Sequence, residues 1–122
     1  MIDFKNGSVF KLKKVKDAPN SFMELLIEGE NVLGCYQALR DYVVFTDRRV
    51  VSVNVQGLTG SKKDFTTLPY SKIQAFSVET AGVFDLDSEL DLFFSGIGKI
   101  RFEFTGASDI IAINKMIATH IL

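Results

Sequence analysis

The chain has no tryptophan, one cysteine, one histidine and two prolines. Each scarcity excludes something. A lone cysteine, Cys35, permits neither an intrachain disulfide nor a cysteine metal cluster. On an extended segment it shares a face with Leu33 and reads as a small buried hydrophobe, with no histidine or basic neighbour to activate its thiol. The lone histidine, His120, falls near the end of the last helical stretch, where a cation suits the helix dipole, and no nucleophile or orienting acid can be assigned to it. No apolar run reaches the roughly 18 residues that would indicate a membrane span. The opening Met-Ile-Asp-Phe-Lys lacks the apolar region and small-residue cleavage site of a secretory signal, which places the protein in the cytoplasm. Charge of one sign is not in excess either: 14 Lys and Arg face 15 Asp and Glu, for a formal net charge of −1, so a bulk nucleic-acid binder is excluded.

What is present is β-forming and aromatic. Hydrophobic residues make up 47 % of the 122, with 11 Phe, enough for one domain with a substantial core. The stretch Tyr42 to Val55 reads as a β-hairpin, two arms of β-branched and aromatic residues parted by Thr46 to Arg49, with Asp47 turning the chain. Its first arm is apolar on both faces, Val43 and Phe45 on one and Tyr42 and Val44 on the other. A strand covered on one side alternates instead, so a helix of this chain or a second copy must cover the other face. In the second arm Val51, Val53 and Val55 alternate with Ser52 and Asn54.

Before this hairpin, residues 1–20 are expected as an N-terminal extension and residues 21–122 as a single domain. Phe10 to Lys16 carries four lysines among apolar residues, a solvated face with Phe10, Leu12 or Val15 packed down. Ser21-Phe22-Met23-Glu24 has capping-box spacing for a short helix stopped by Gly29. Phe22, Leu25 and Leu26 lie on its buried face. Strands are expected over 32–39, 42–46, 50–56, 65–67, 73–80, 86–95 and 99–105. Pro69 interrupts the chain between two of them and belongs at an edge or a bulge. In the last pair the apolar faces coincide only if the loop has an odd number of residues. Gly96-Ile97-Gly98 supplies three and sets Phe94 opposite Ile100 and Leu92 opposite Phe102. Gly106 to Asp109 ends the sheet, Ser108 or Asp109 caps a helix, and Ile110, Ile113, Ile117 and Ile121 form its apolar stripe. The fold class is mainly β: about seven strands curled into a two-sheet, partly open barrel, with a short N-terminal helix and a C-terminal amphipathic helix as a plug.

Candidate chemistry is sparse. Asp85, Asp87, Glu89 and Asp91 alternate along a strand. Their spacing imitates the start of a calcium loop but lacks its glycine, where Leu90 stands, and its closing glutamate, where Gly96 stands. They read as a charged sheet edge or a partner-facing acidic stripe. Arg48 and Arg49 either solvate a turn or bind an anion. Gly96-Ile97-Gly98 joins two strands and opens no helix, so it is not a dinucleotide site. No catalytic constellation, metal site or cofactor site is expected.

The chain resembles the bacterial pleckstrin-homology domain family over about Leu25 to Leu122. The resemblance rests on Leu25-Leu26 before Gly29-Glu30-Asn31-Val32, on Phe45-Thr46-Asp47-Arg48-Arg49-Val50, on Leu68-Pro69-Tyr70-Ser71-Lys72-Ile73, and on the closing helix. It implies two roughly orthogonal sheets of seven strands closed at one end by the helix, no catalysis, and homo-oligomeric rings. Eukaryotic relatives bind phosphoinositides through a long loop between their first two strands. Here that connection is Arg40-Asp41, so that function is not carried over. The expectation is a non-enzymatic binding or assembly module that forms homo-oligomers through Val43, Phe45, Val51 and Val53, with Arg48, Arg49 and the acidic stripe as further contacts for an unknown protein or small ligand. The alternative is a peripheral binder of anionic membrane through Lys11, Lys13, Lys14, Lys16, Lys62 and Lys63.

Overall fold

A computed structural model describes residues 1–6, 8–84, 86–106 and 109–122. The elements in chain order are β1 (Ser8–Val15), α1 (Asn20–Met23), β2 (Val32–Ala38), β3 (Asp41–Thr46), β4 (Arg49–Gln56), β5 (Lys62–Pro69), a 3-10 turn (Tyr70–Lys72), β6 (Ile73–Glu79), β7 (Ser88–Phe94), β8 (Gly98–Phe104) and α2 (Ile110–Ile121). The strands form one sheet in the order β5-β4-β3-β2-β1-β8-β7-β6. All neighbours are antiparallel except β1 and β8. β5 and β6 are consecutive in the chain yet occupy the two edges of the sheet. The turn at 70–72 therefore joins edge to edge, and the sheet curls without closing. Pro69 ends edge strand β5 opposite Arg49, where its missing N–H breaks no ladder.

The sheet has eight strands, not seven. The additional one, Ser8–Val15, lies mid-sheet between β2 and β8, within the stretch expected as an N-terminal extension. Leu12 is buried in the main core, whereas Val15 packs against the cluster on the opposite face. Two apolar residues on opposite faces with lysines between them leave no period-2 signal. A bulge adds to the irregularity: Val9 pairs with Phe102 and Leu12 with Phe104, so three steps on β1 match two on β8.

Two apolar clusters explain the two-faced first arm of the central hairpin. Val43, Phe45 and Val50 point into the barrel, whereas Val44, Val51 and Val53 face outward beneath Phe22 of α1. The cover is thus a helix of the same chain. Val43, Phe45, Val51 and Val53, expected to meet another copy, are 0 % exposed within one chain and offer a neighbour no surface.

Helix α1 starts without the capping box. Pro19, in extended conformation, is its N-cap with no side-chain bond, and its carbonyl accepts the Phe22 and Met23 amides at 2.9 and 3.1 Å. Leu25, expected on the buried face, is exposed. The β7–β8 hairpin keeps the expected parity, but its register is displaced by two residues: Leu92 faces Ile100, Leu90 faces Phe102 and Phe94 faces Gly98. Gly96, at φ +82°, supplies the left-handed residue, and Gly98 joins the ladder, so the loop is Ser95 to Ile97. Helix α2 plugs the main core as expected, with Ile113 and Ile117 at 2 % and 0 % exposure. The Asp109 carboxylate accepts the Ala112 amide at 3.1 Å and caps it; Ser108, the other expected cap, lies outside the described residues. No helix among the described residues is long and apolar enough to cross a membrane.

Candidate binding groove at the open mouth of the barrel

Directly opposed residues in antiparallel ladders share a face. Along β3, β4 and β5, Phe45, Val50 and Leu68 form one inward row beside α2. Two residues further along, Val43, Ser52 and Thr66 form the next, and Asn54 and Asp64 follow. The barrel interior thus changes from apolar at the helix-plugged end to polar at the other. Ser52 and Thr66 are only 9 % and 5 % exposed, on the floor of a groove of about 1060 Å³. β1 brings Lys11, Lys13 and Lys14 to this groove, and β3 and β5 bring Asp41 and Asp64. Asp41 accepts the Val55 amide at 2.9 Å and the Asn54 side chain at 3.2 Å. None of the three lysines has an ion-pair partner among the described residues.

The backbone is strained at this mouth. Among the described residues, Lys11 and Leu39 are the non-glycine residues with left-handed φ, at 57° and 54°, and both line the groove. Lys11 sits in the β1 bulge, which re-aims its side chain. Leu39 turns the β2–β3 hairpin at a position that favours glycine, and at 96 % exposure no packing compensates it. Strain of this kind, typically about 1–3 kcal/mol per residue, clusters at functional sites.

The chain's own first residues enter the same region. The Ile2 amide donates to the Thr66 hydroxyl at 2.8 Å, and the Met1 ammonium meets Asp64, whose carboxyl it holds below the usual range. Ile2 and Phe4 pack on the main core. A second hollow of about 590 Å³ lies where the sheet fails to close, between β5 and the β7–β8 loop, lined in part by Phe4, Leu68, Phe94 and Ile97.

The sequence-derived candidates lie elsewhere. Arg49 is committed inside the chain, where its guanidinium grips Glu30 through Nε–Oε2 at 2.8 Å and Nη2–Oε1 at 2.9 Å. It also donates to the Leu25 carbonyl and the Thr67 hydroxyl and lies 5.9 Å from the Phe22 ring centroid. The Glu30 side chain is fully buried, also accepts the Thr46 hydroxyl at 2.7 Å, and has its pKa lowered, chiefly by Arg49. Arg49 therefore has a structural partner in place of an external anion. Arg48 is exposed beside it. In the acidic stripe Arg101 makes a two-bond contact with Asp91, at 2.9 and 3.0 Å, and reaches Glu89 at 3.1 Å. Desolvation, followed by its acidic neighbours Glu79, Glu103 and Asp91, raises the Glu89 pKa against the pull of Arg101. Asp87 is half-buried at the head of this strand, and Asp85 lies outside the described residues. Burial pushes the Cys35 thiol up to about 11, as befits an inert core residue.

Sequence reasoning missed Glu30, Arg101, Ser52 and Thr66. A signal existed for Arg101. The expected register set Asp91 opposite Glu103, whereas a displacement of two sets Asp91 opposite Arg101, and opposite charges favour the latter.

The model of the family described as Bacterial PH domain matches residues 3–121. The chain belongs to the bacterial PH domain family. It is 45 % identical over 96 residues to the uncharacterized protein YjqA of Bacillus subtilis (strain 168), covering 77 % of each chain. A solved protein with a pleckstrin-homology domain from Shewanella loihica PV-4 superposes with a TM-score of 0.79 at 33 % identity, over 92 % of this chain and 98 % of that one. A pleckstrin-homology domain from Shewanella amazonensis SB2B gives a TM-score of 0.64 at 36 % identity, over 84 % of each. The segments of this bacterial PH domain that carried the resemblance meet in one place. Thr46 accepts the Arg48 and Arg49 amides, Asp47 binds Asn31, Arg49 binds Glu30, and the buried Tyr70 hydroxyl donates to the Thr46 carbonyl at 2.7 Å. These family motifs hold the β3–β4 turn to the segment that enters β2 and to the turn that follows edge strand β5.

Proposed function

We propose that this bacterial PH domain is a non-catalytic binding module of the cytoplasm that assembles with copies of itself, with the groove at the open mouth as its contact site. One observation carries the reading: residues 1–3 of the chain already lie along the groove, with the Ile2 amide on Thr66 of its polar floor and strained residues at its rim. A seat that accepts backbone and apolar side chains from its own sequence suits self-association. The exposed Leu39 and the rim lysines, which make no ion pair among the described residues, add groups available to a partner. Light scattering coupled to size exclusion is expected to give a mass several times 13.6 kDa at micromolar concentration. A monomer mass throughout that range rejects self-assembly.

A second reading, contact with anionic membrane, is favoured by the convergence of Lys11, Lys13 and Lys14 on one rim. Their attraction to a lipid surface is screened over about 8 Å at physiological salt. Co-sedimentation with phosphatidylserine vesicles would therefore fall steeply between low and physiological salt and be lost in a Lys11, Lys13, Lys14→Glu variant. Equal sedimentation at both salt concentrations dismisses this reading.

A further inference from the structure

We propose that residues 1–6 are an exchangeable arm, seated in the assembly not in their own groove but in the mouth groove of a second copy. The inference rests on the self-assembly reading above and names the contact that produces it.

The arm is separable from the fold that carries it. The first ladder pairing of the chain is Ser8 with Arg101, so residues 1–6 belong to no strand. Their shape is set locally: the Asp3 carboxylate accepts the Lys5 amide at 2.9 Å and the Asn6 amide at 3.4 Å. That turn needs nothing from the groove. A glycine follows in the sequence at position 7.

The seat is specific. The Ile2 amide meets Thr66, a nearly buried hydroxyl that also donates to Asp64. Ile2 and Phe4 pack on the main core, with Phe4 reaching the hollow at the unclosed seam. Asp64 takes the positive group of Met1. A second copy's arm makes the same contacts in this seat, so exchange costs no interaction and gains whatever the two mouths bury between them. Identical elements traded between copies are a low-cost route to assembly, and a short hinge favours it. Because β1 begins at Ser8, almost directly after the arm, the donor's mouth must lie against the acceptor's.

The arm contact also leaves room. Beside the arm remain polar floor and rim residues, Ser52, Asn54 and Leu39 among them. In a lone chain this surface faces water, and in the exchanged form it faces the partner's mouth.

The test uses the whole chain in three forms. Ile2→Cys and Thr66→Cys are made separately, with a mass tag on one, and also together. Cys35 is buried and stays unmodified. After the two single variants are mixed and oxidised, the expected product is a disulfide between tagged and untagged chains; oxidation of the double variant gives a ladder at multiples of the chain mass. A double variant that closes entirely within one chain, with no cross-link in the mixture, overturns the exchange. So does the absence of any cross-link in either experiment. Ile2→Asp, at a position outside every strand, is expected to reduce the light-scattering mass toward the monomer; an unaltered mass overturns the exchange. If the unmodified chain is a multimer but these results fail, assembly stands and the arm is not its contact. If the unmodified chain is a monomer, the assembly reading itself falls.

Discussion

The Thr46 hydroxyl serves several partners at once, accepting the Arg48 and Arg49 amides at 3.0 Å each and donating to Glu30. Glu30 is the residue on which this arrangement depends. Its carboxylate is out of water and compensated by Arg49, so removing the charge leaves a guanidinium with most of its surface covered and no counter-ion. Glu30→Gln is expected to destabilise the fold by about 3 kcal/mol, the low end for a broken buried pair because Arg49 retains some solvent contact. A urea midpoint unchanged from the parent refutes that role. The pH dependence has a definite sign. The folded-state pKa of Glu30 is lowered, so its contribution is complete above the ordinary glutamate range and disappears as pH falls through the folded value. As the pH is lowered below about 4.3, the ordinary glutamate value, the parent should therefore lose more stability than Glu30→Gln. At this scale the sequence was partly legible. Ser52 and Asn54 were visible as the alternate row of β4, but alternation does not say which row faces the barrel. The valines face outward under α1, and the polar residues face the mouth.

At the scale of elements, legibility follows periodicity. The isoleucine stripe of α2 was readable because it repeats at helical spacing and its burial needs no register with anything else. Ile117→Ala is expected to cost roughly 2–5 kcal/mol through lost burial and a residual cavity, measured as a lower urea midpoint. Its failure to move would show that the helix does not plug the barrel. β1 was hidden because its bulge and its lysines break the period-2 pattern, and because its neighbours β2 and β8 are remote in sequence. In the β7–β8 hairpin parity followed from the apolar faces, whereas the register depended on which of two glycines joined the ladder. Gly98 did, at φ +104°.

At the scale of the whole molecule, the resemblance anticipated the family and the mainly β fold with its closing helix, while the candidate groove stayed hidden. Its wall is β1 and its floor is the polar row of β4 and β5, elements that meet only once the sheet has curled. The expected oligomer surface was sought where a strand was apolar on both faces, but α1 covers that face. The cross-linking measurement therefore examines the mouth.

The parallel pairing of β1 with β8 has a consequence for how the chain reaches its native state. The Thr105 amide donates to the Leu12 carbonyl at 3.0 Å across a sequence separation of 93 residues. Everything from β2 to β7 lies between them. A ribosome releases β1 first, yet its second neighbour is made almost last, so the nascent strand must wait with one edge unsatisfied. Closing so long a loop is entropically costly and slows the search. The final ladder to form should be the one nearest both chain ends, and the unpaired interval is when β1 is exposed to pairing with the wrong strand.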